Sequence, residues 1–347
     1  MTPRRDSDDD DFFAAAPPAR TVVPAAHDEP LLRLGRRLPA GVYLGTSSWS
    51  FPGWNRIVYG GDYTEAQLAR DGLAAYAAHP VLRAVGIDRG FYQPLAPHDY
   101  ARYAQQVPAA FRFLVKAPAA VTDAVLRSAG GEPTGPNPTF LDAAACAERF
   151  VLPALQGLGT KAGPLVFQLS PLPREWLQPP AAHALIERIG AFLAALPRAV
   201  DGRTPTYAVE VRDGALLTPR LVRTLRAAGA RLTIGIHARL PNAARQGAAL
   251  RAMEADGDEG ETWQLRGPLV VRWNLHAGYR YEEAKRRYAP FDRLLDPDLV
   301  TRGALAHLIR IALASRQPAF VIVNNKAEGC APLSCVELAR AVVGPTI

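Results

Sequence analysis

The sequence predicts a single (β/α)8 barrel, the TIM-barrel fold, over most of the 347-residue chain. After an amino-terminal tail, a short apolar run rich in β-branched residues and ending in polar residues recurs eight times. Most runs are followed by a stretch with residues that are typical of helix starts and ends. Eight alternating strands and helices are typical of a closed parallel barrel. A doubly wound open sheet is the alternative. However, the first run continues into Gly45-Thr46-Ser47-Ser48-Trp49 and not into a dinucleotide-binding glycine fingerprint.

The eight predicted strands, with the polar residues that close them, are spread along the chain. They cover residues 42–49, 84–92, 112–118, 164–171, 206–213, 231–237, 268–276 and 319–326. Between two of them, Thr218-Pro219 supplies a helix cap followed by proline at the first helical position, and Gly229 ends that helix. Pro332 opens a last helical stretch that ends at Gly344-Pro345. These helix-start and helix-end residues therefore predict helices in the connections between strands, as a barrel requires.

One barrel domain is predicted over residues 39–347, after a flexible tail over residues 1–38. The tail begins with an acidic run at 6–11 and continues with prolines and alanines, a composition typical of disorder. An acidic start argues against a secretory or mitochondrial leader, and no apolar run approaches the roughly 18 to 20 residues of a membrane span. Three cysteines without a CxxC pair favour a reducing, cytoplasmic location.

The excess of basic residues is interpreted as a property of the whole surface. The chain has 40 Lys and Arg against 33 Asp and Glu, a net charge of +7. Only four of the basic residues are lysines, and the arginines are scattered along the chain, with few of them alternating with aromatic residues. A solvated, arginine-rich surface is therefore favoured over a nucleic-acid-binding face, although a nucleic-acid partner stays open.

Polar side chains gather where the predicted strands end. In a TIM barrel the carboxyl ends of the strands and the loops after them build the functional site. The candidate site residues at these ends are Thr46, Trp49, Asp88, Tyr92, Lys116, Gln168, Glu210, Arg212, Arg272, Asn324 and Asn325. The beginnings of the strands are far less polar, so a site at the carboxyl-terminal face of the barrel is predicted.

The charges among these candidates predict an anionic ligand. Residues two apart on a strand share a face, so Glu210 and Arg212 point the same way. Burying an unpaired charge is costly, so inward charges are expected to pair or to face a ligand. The cations Lys116, Arg212 and Arg272 outnumber Glu210 and Asp88. This surplus favours a small phosphorylated or carboxylated metabolite as the partner.

Roles follow from the residue types. Glu210 and Lys116 are the candidates for acid/base catalysis, and Lys116, Arg212 and Arg272 would hold the anion. The remaining candidates for ligand contact are Gln168, Asn324, Asn325, Thr46, Trp49, Asp88 and Tyr92. A structural network of Glu210 and Arg212 inside the barrel fits the same pattern and is the alternative to catalysis. No metal and no cofactor is assigned, and the oligomeric state is left open.

Six motifs, in order along the chain, resemble those of a known family. They are residues 45–54 (GTSSWSFPGW), Phe91-Tyr92, residues 111–118 (FRFLVKAP), residues 163–169 (GPLVFQL), residues 208–212 (AVEVR), and Asn324-Asn325 followed by Gly329 and Pro332. In these motifs the chain resembles the YecE-like family, domain of unknown function 72, over roughly residues 42–343. The resemblance implies a TIM barrel and no established reaction.

The chain also departs from that family's pattern. Where the family usually has a glutamate and an asparagine before Phe-Tyr, this chain has Gly86 and Asp88. Where the family has a histidine and an aspartate, this chain has Asp213 and Lys326. The resemblance is therefore to a divergent member, in which the family's activity is expected to be altered or absent.

Two further functional classes stay open. A non-enzymatic nucleic-acid-associated or scaffold protein with a degenerate barrel site would account for the net charge and for Gly86 and Lys326. A divalent-metal-dependent enzyme of the sugar-isomerase or endonuclease type is the other class. Its ligands would be Glu210, Asp88, His237 and His276, which stand at four different strand ends. No local pair of metal ligands supports this second class.

Overall fold

The computed structural model describes residues 21–128, 130–254 and 263–344, and it contains the predicted closed barrel. Eight parallel strands form the barrel, numbered here β1 to β8 in chain order. They are Val42–Thr46, Leu82–Ile87, Arg112–Lys116, Ala162–Gln168, Tyr207–Glu210, Arg231–Ile236, Leu269–Trp273 and Ala319–Val323. Each predicted run overlaps one of these strands, so the predicted fold class is confirmed.

Each strand pairs with its neighbours in chain order, and β8 closes the sheet on β1. In the register, Ile322 of β8 lies opposite Gly45 of β1 on one side and Arg272 of β7 on the other. The α-helices are Glu29–Arg37, Glu65–Asp71, Leu73–Ala77, Pro97–Gln105, Ala119–Thr122, Ala143–Cys146, Leu152–Leu158, Ala181–Ala195, Pro219–Ala227, Ala243–Glu254, Tyr281–Tyr288, Leu299–Ala314 and Ala331–Val343. None of the helices within the described ranges is both long and apolar enough to cross a membrane.

Short helical turns complete the connections. The 3-10 turns are Pro52–Trp54, Arg89–Phe91, Gly159–Lys161, Arg174–Leu177, Gly214–Leu216 and Asn325–Ala327, and a π-helical turn spans Ala147–Val151. The predicted cap at Thr218 is present, because its hydroxyl accepts a hydrogen bond from the Leu221 amide at 3.3 Å. The two helices that were predicted from their start and end residues, Pro219–Ala227 and Ala331–Val343, therefore form where they were predicted.

Side-chain alternation along the strands separates two faces. On one face Val115, Phe167 and Val209 join the main core beneath the helices. On the other face six residues from six strands contact one another inside the barrel: Ala84, Leu114, Val166, Ala208, Val270 and Ile322. Nearer the amino-terminal end, the rings of Tyr43 and Phe320 stack with their centroids 4.8 Å apart. The barrel interior is therefore a packed core that is closed at its amino-terminal end.

The predicted boundary between tail and domain is wrong, because residues 21–38 belong to the folded domain. Helix Glu29–Arg37 lies within this segment, and Leu34 and Leu38 are buried in the main core. The prolines and alanines suggested disorder, whereas the leucines at helical spacing provide an apolar face that packs on the barrel. The rest of the predicted tail, residues 1–20, lies outside the described residues.

A two-stranded antiparallel ribbon, which the sequence did not predict, extends the connection from β3 to β4. Its strands are Val125–Arg127 and Pro133–Pro136. Two prolines and a glycine occupy the second strand, and these residues are depleted in strands, so propensity alone does not reveal it. The ribbon lies near Tyr92 at the carboxyl-terminal end of the barrel and so shapes the surroundings of the candidate site.

Candidate functional site

The alternation that packs the barrel also builds a polar layer at its carboxyl-terminal end. On five strands, the residue two positions after the interior apolar residue is polar and also faces inward. These residues are Lys116, Gln168, Glu210, Arg272 and Asn324. All except Glu210 line a pocket of about 420 Å³, and Glu210 is completely buried. The structure therefore brings together five of the residues that the sequence predicted.

Arg272 is the centre of this layer. Its Nη1 donates to Glu210 Oε2 at 2.8 Å and to Gln168 Oε1 at 2.8 Å, and its Nη2 donates to Asp88 Oδ2 at 2.9 Å. Burial alone would lower the pKa of Arg272, but Asp88 and Glu210 raise it above its usual range. Arg272 is therefore a permanent cation whose orientation is set from across the barrel by residues at the ends of β2, β4 and β5.

Glu210 accepts contacts on both carboxylate oxygens. While Oε2 faces Arg272, Oε1 accepts from Asn274 Nδ2 at 3.0 Å and lies 3.2 Å from Arg212 Nη2. Burial alone would raise the pKa of Glu210, but Arg212 and Arg272 lower it. An ionised carboxylate engaged on both oxygens orients cations and is a poor proton acceptor. The geometry therefore favours the structural alternative for Glu210 over the predicted acid/base role.

Gln168 is shared between two arginines. Its Oε1 accepts from Arg212 Nη2 at 2.6 Å as well as from Arg272. Because the amide oxygen is engaged in this way, the amide orientation is set by the protein. The other end of the amide, Nε2, has no acceptor among the described residues, and Gln168 lines the pocket.

Lys116 differs from the other cations of the pocket. Its Nζ lies 3.4 Å from the centroid of the Phe91 ring, and no carboxylate of the described residues lies within ion-pair distance of it. Burial lowers the pKa of Lys116 to about 8; Asp88 opposes this shift, and Arg272 acts in the same direction as burial. Lys116 is thus a cation on the pocket wall whose charge is stabilised by a ring face and is close to titrating.

The rim of the pocket comes from loops, and sequence reasoning assigned few of its members. The rim residues are Asp88, Phe91, Tyr92, Pro171, Arg212, His237, Arg239, Asn274, Leu275 and Tyr281. Of these, Asp88, Tyr92 and Arg212 were predicted, and Tyr92 is 91% exposed. The Phe91-Tyr92 pair and Asn274 were visible at strand ends, whereas Arg239 and Tyr281 carry no sequence signal that separates them from the other surface residues.

Two rim positions show how the neighbouring charges are balanced. Arg239 Nη2 donates to Asp213 Oδ1 at 3.2 Å, and Asp213 Oδ2 also accepts from the Leu172 amide at 2.9 Å. His237 accepts the Arg239 amide on Nδ1 at 3.3 Å. Burial lowers the pKa of His237, and Arg212 and Arg239 lower it further. His237 is therefore neutral near pH 7, with Nε2 carrying the proton.

Thr46 and Trp49, two predicted site residues, lie outside the pocket. On β1 the inward positions are odd-numbered, so Thr46 points towards the helices, where its hydroxyl lies 2.8 Å from the Tyr76 hydroxyl. Trp49 donates from Nε1 to the Leu68 carbonyl at 3.0 Å and is buried. Both assignments are corrected, because nearness to a strand end does not decide on which face of the sheet a side chain lies.

Asn325 is corrected for the same reason, whereas Asn324 is placed as predicted. Asn324 faces the pocket and donates from Nδ2 to Ser47 Oγ at 2.9 Å. Asn325 points the other way, where its Oδ1 accepts from Trp54 Nε1 at 3.2 Å and from the Ala331 amide at 2.8 Å. It joins the first connection to the start of the last helix and does not reach the pocket.

The metal-enzyme alternative receives no support from the described residues. Within residues 21–128, 130–254 and 263–344, no group of three or more His, Cys, Asp and Glu is arranged to hold a metal ion. Of the proposed ligands, Glu210 and Asp88 are engaged by Arg272, and His276 Nδ1 accepts the Gly278 amide at 3.2 Å.

Fold and site together define a TIM-barrel protein with an arginine-rich polar pocket at the carboxyl-terminal face. The chain belongs to the DUF72 family, described as a protein family of unknown function, whose sequence profile matches residues 43–345. The predicted family resemblance is thereby confirmed. No curated protein matches the chain significantly.

Two solved structures share the fold of this chain. A DUF72 family protein from Thermotoga maritima MSB8 is similar with a TM-score of 0.53 at 16% identity, over 86% of this chain and 98% of the other. A DUF72 family protein from Enterococcus faecalis V583 is similar with a TM-score of 0.52 at 16% identity, over 88% of this chain and 97% of the other. At such identities the likeness shows the fold alone.

Proposed function

We propose that this protein binds a small phosphorylated or carboxylated metabolite in the pocket at the carboxyl-terminal face of the barrel. The observation that carries the proposal is the ammonium group of Lys116. It lies on the pocket wall, over the Phe91 ring, with no carboxylate of the described residues at ion-pair distance. A partly buried cation in this setting is stabilised when an anion enters and supplies the missing charge.

Arg272 and Arg212, two other cations of the pocket, support this proposal because each already has a carboxylate partner within the protein. Arg272 pairs with Glu210 and Asp88, and Arg212 lies 3.2 Å from the same glutamate. These arginines hold the polar layer rigid and keep the potential in the pocket positive, while Lys116 supplies the charge that a ligand neutralises. Gln168 and Asn324 would add hydrogen bonds to the bound anion.

Catalysis, if the bound metabolite reacts, falls to Lys116. A group whose pKa is about 8 exchanges protons readily near neutral pH, as a general acid or base requires. Glu210 acts as a positioning residue, because it sets the orientation of Arg272 and Arg212. Acid/base chemistry on an anionic metabolite is the reaction class that these roles would support.

Calorimetric titration with inorganic phosphate, sulfate and acetate tests the binding proposal. Lys116→Met should weaken the binding of these anions about tenfold to a hundredfold, the range expected for a lost charge-assisted hydrogen bond of about 1.5–3 kcal/mol. Lys285→Met is the matched control, because Lys285 is exposed and does not line the pocket. The proposal fails if the unaltered protein binds none of the three anions, or if both variants bind them as tightly as the parent.

A pH titration gives an independent test. Sulfate keeps its charge between pH 6 and 10, so any change in its affinity reports on the protein. Because Lys116 is charged below its pKa of about 8 and neutral above it, sulfate affinity should fall as the pH rises through 8 at constant ionic strength. In Lys116→Met most of this fall should be lost, whereas Lys326→Met, which removes the other lysine beside the pocket whose pKa is lowered to about 8, should keep it. An equally steep profile in Lys116→Met would assign the titration to another group.

A further inference from the structure

A second cavity lies beside the barrel pocket and shares a wall with it. It has a volume of about 770 Å³ and lies against the ribbon formed by Val125–Arg127 and Pro133–Pro136. Phe91, Tyr92 and Pro171 line both the barrel pocket and this ribbon cavity. A molecule bound in the barrel pocket therefore has a neighbouring space, reached past Tyr92, into which part of it can extend.

The polar groups of the ribbon cavity are already engaged within the protein. Asp123 accepts from the Ser170 hydroxyl and lies 4.0 Å from Arg127 Nε. Arg127 also donates from Nη1 to a backbone carbonyl of the ribbon turn at 3.0 Å. Asn137 donates from Nδ2 to two backbone carbonyls at 2.9 and 2.7 Å. What these groups leave for a ligand is mainly contact surface, not unpaired donors or charges.

The remaining walls of the cavity are apolar and accessible. Tyr92 is 91% exposed and Leu126 is 47% exposed, and both line the cavity together with Val125, Ala119 and Ala120. Large apolar side chains exposed in one concave surface are a common sign of a binding site. The cationic group, Lys116, lies 3.4 Å from the centroid of the Phe91 ring and lines the barrel pocket, not the ribbon cavity.

We infer that the ligand is an amphipathic anion, whose charged group occupies the barrel pocket and whose alkyl or aryl arm lies over Tyr92 against Leu126 of the ribbon. This inference rests on the proposed function, because it extends the ligand from the anion site. Because Phe91, Tyr92 and Pro171 line both cavities, an arm of the same molecule is the occupant that we assign to the ribbon cavity. The substrate class is thereby narrowed to alkyl or aryl phosphates and carboxylates.

Calorimetry with homologous series tests this inference: n-alkyl phosphates from methyl to hexyl, phenyl phosphate, and the matching n-alkyl carboxylates. Each methylene buried in the ribbon cavity should tighten binding about threefold to fourfold until the cavity is filled. Leu126→Ser should reduce this gain per methylene while leaving the affinity for inorganic phosphate unchanged. Leu299→Ser is the matched control, because Leu299 is 71% exposed and lines neither cavity.

The outcomes separate the two proposals. If inorganic phosphate or acetate binds but the chain-length gain is absent, or is the same in Leu126→Ser and the parent, the inference is wrong and the anion site stands. If no anion binds at all, the proposed function fails and the inference fails with it. A chain-length gain that is reduced in Leu126→Ser but kept in Leu299→Ser supports the amphipathic ligand, and whichever series binds more tightly identifies the charged group.

Discussion

Arg272 and Lys116 lie in the same polar layer, yet the protein uses their charges differently. Arg272 is enclosed by Glu210, Asp88 and Gln168, so its position and charge are independent of any ligand. Lys116 has the Phe91 ring 3.4 Å from its ammonium group and no described carboxylate at ion-pair distance, and its pKa is lowered to about 8. Sequence alone shows two cations at strand ends and cannot separate them, because the difference lies in which carboxylates reach them.

Removing the central carboxylate tests the positioning role of Glu210. Glu210→Gln leaves the buried Arg272 without one of its two carboxylate partners, so the free energy of unfolding should fall by about 3–5 kcal/mol. Glu187→Gln is the control: Glu187 pairs with Arg220 at 3.0 Å, but both side chains are largely exposed, and the loss should stay within about 1 kcal/mol. Urea denaturation measures both values. Equal losses in the two variants would contradict a buried network.

At the scale of strands and connections, what could be predicted follows from periodicity. The side chains of a strand alternate with a period of two, and Lys116, Gln168, Glu210, Arg272 and Asn324, which were predicted from their positions at strand ends, share the inward face for that reason. Thr46 and Asn325 were misassigned because the sequence marks the end of a strand but not which of two adjacent residues points inward. Loops have no such period, and for that reason Arg239 and Tyr281 were not assigned to the rim.

The adjacent pair Asn324 and Asn325 provides a matched test of this alternation. Asn325→Ala should lower the free energy of unfolding by about 2–3 kcal/mol, because the buried Trp54 Nε1 and the Ala331 amide lose their acceptor. Asn324→Ala should cost less, about 1 kcal/mol, because its hydrogen bonds to the Ser47 hydroxyl and the Lys326 amide are only partly buried, but it should weaken anion binding. Chemical denaturation and calorimetric titration of the two variants measure both effects. If the effects of the two substitutions were reversed, the assignment of Asn324 to the pocket face and of Asn325 to the opposite face would be wrong.

At the scale of the whole molecule, the barrel was predictable because its eight repeats each carry a local signal. The segment before β1 was not, since composition pointed to disorder while only the spacing of its leucines pointed to a helix. Leu34 and Leu38 of this segment lie in the same core as the helices around the barrel. The domain therefore begins before the first strand, and the amino-terminal helix is part of its outer layer.

Shortening the chain tests this boundary. A chain that starts at residue 39 should unfold at a lower temperature than one that starts at residue 21, because the shorter chain exposes the core surface that Leu34 and Leu38 cover. If the shorter chain does not fold, Leu34→Ala in the full chain serves instead, with an expected loss of about 2 kcal/mol or more. Leu32→Ala is its control, because Leu32 is 36% exposed. Equal melting temperatures for the two chains, and equal stability of the two leucine variants, would instead support a domain that begins at residue 39.

The aromatic stack of Tyr43 and Phe320 has a consequence for how molecules move through the site. The stack closes the amino-terminal end of the barrel together with the Arg112 guanidinium, which lies 5.6 Å from the Tyr43 ring centroid. A molecule in the pocket therefore has no passage through the packed barrel core to the opposite end, and it enters and leaves on the carboxyl-terminal side. If anions bind in this pocket as proposed, two of them should therefore compete for the same site.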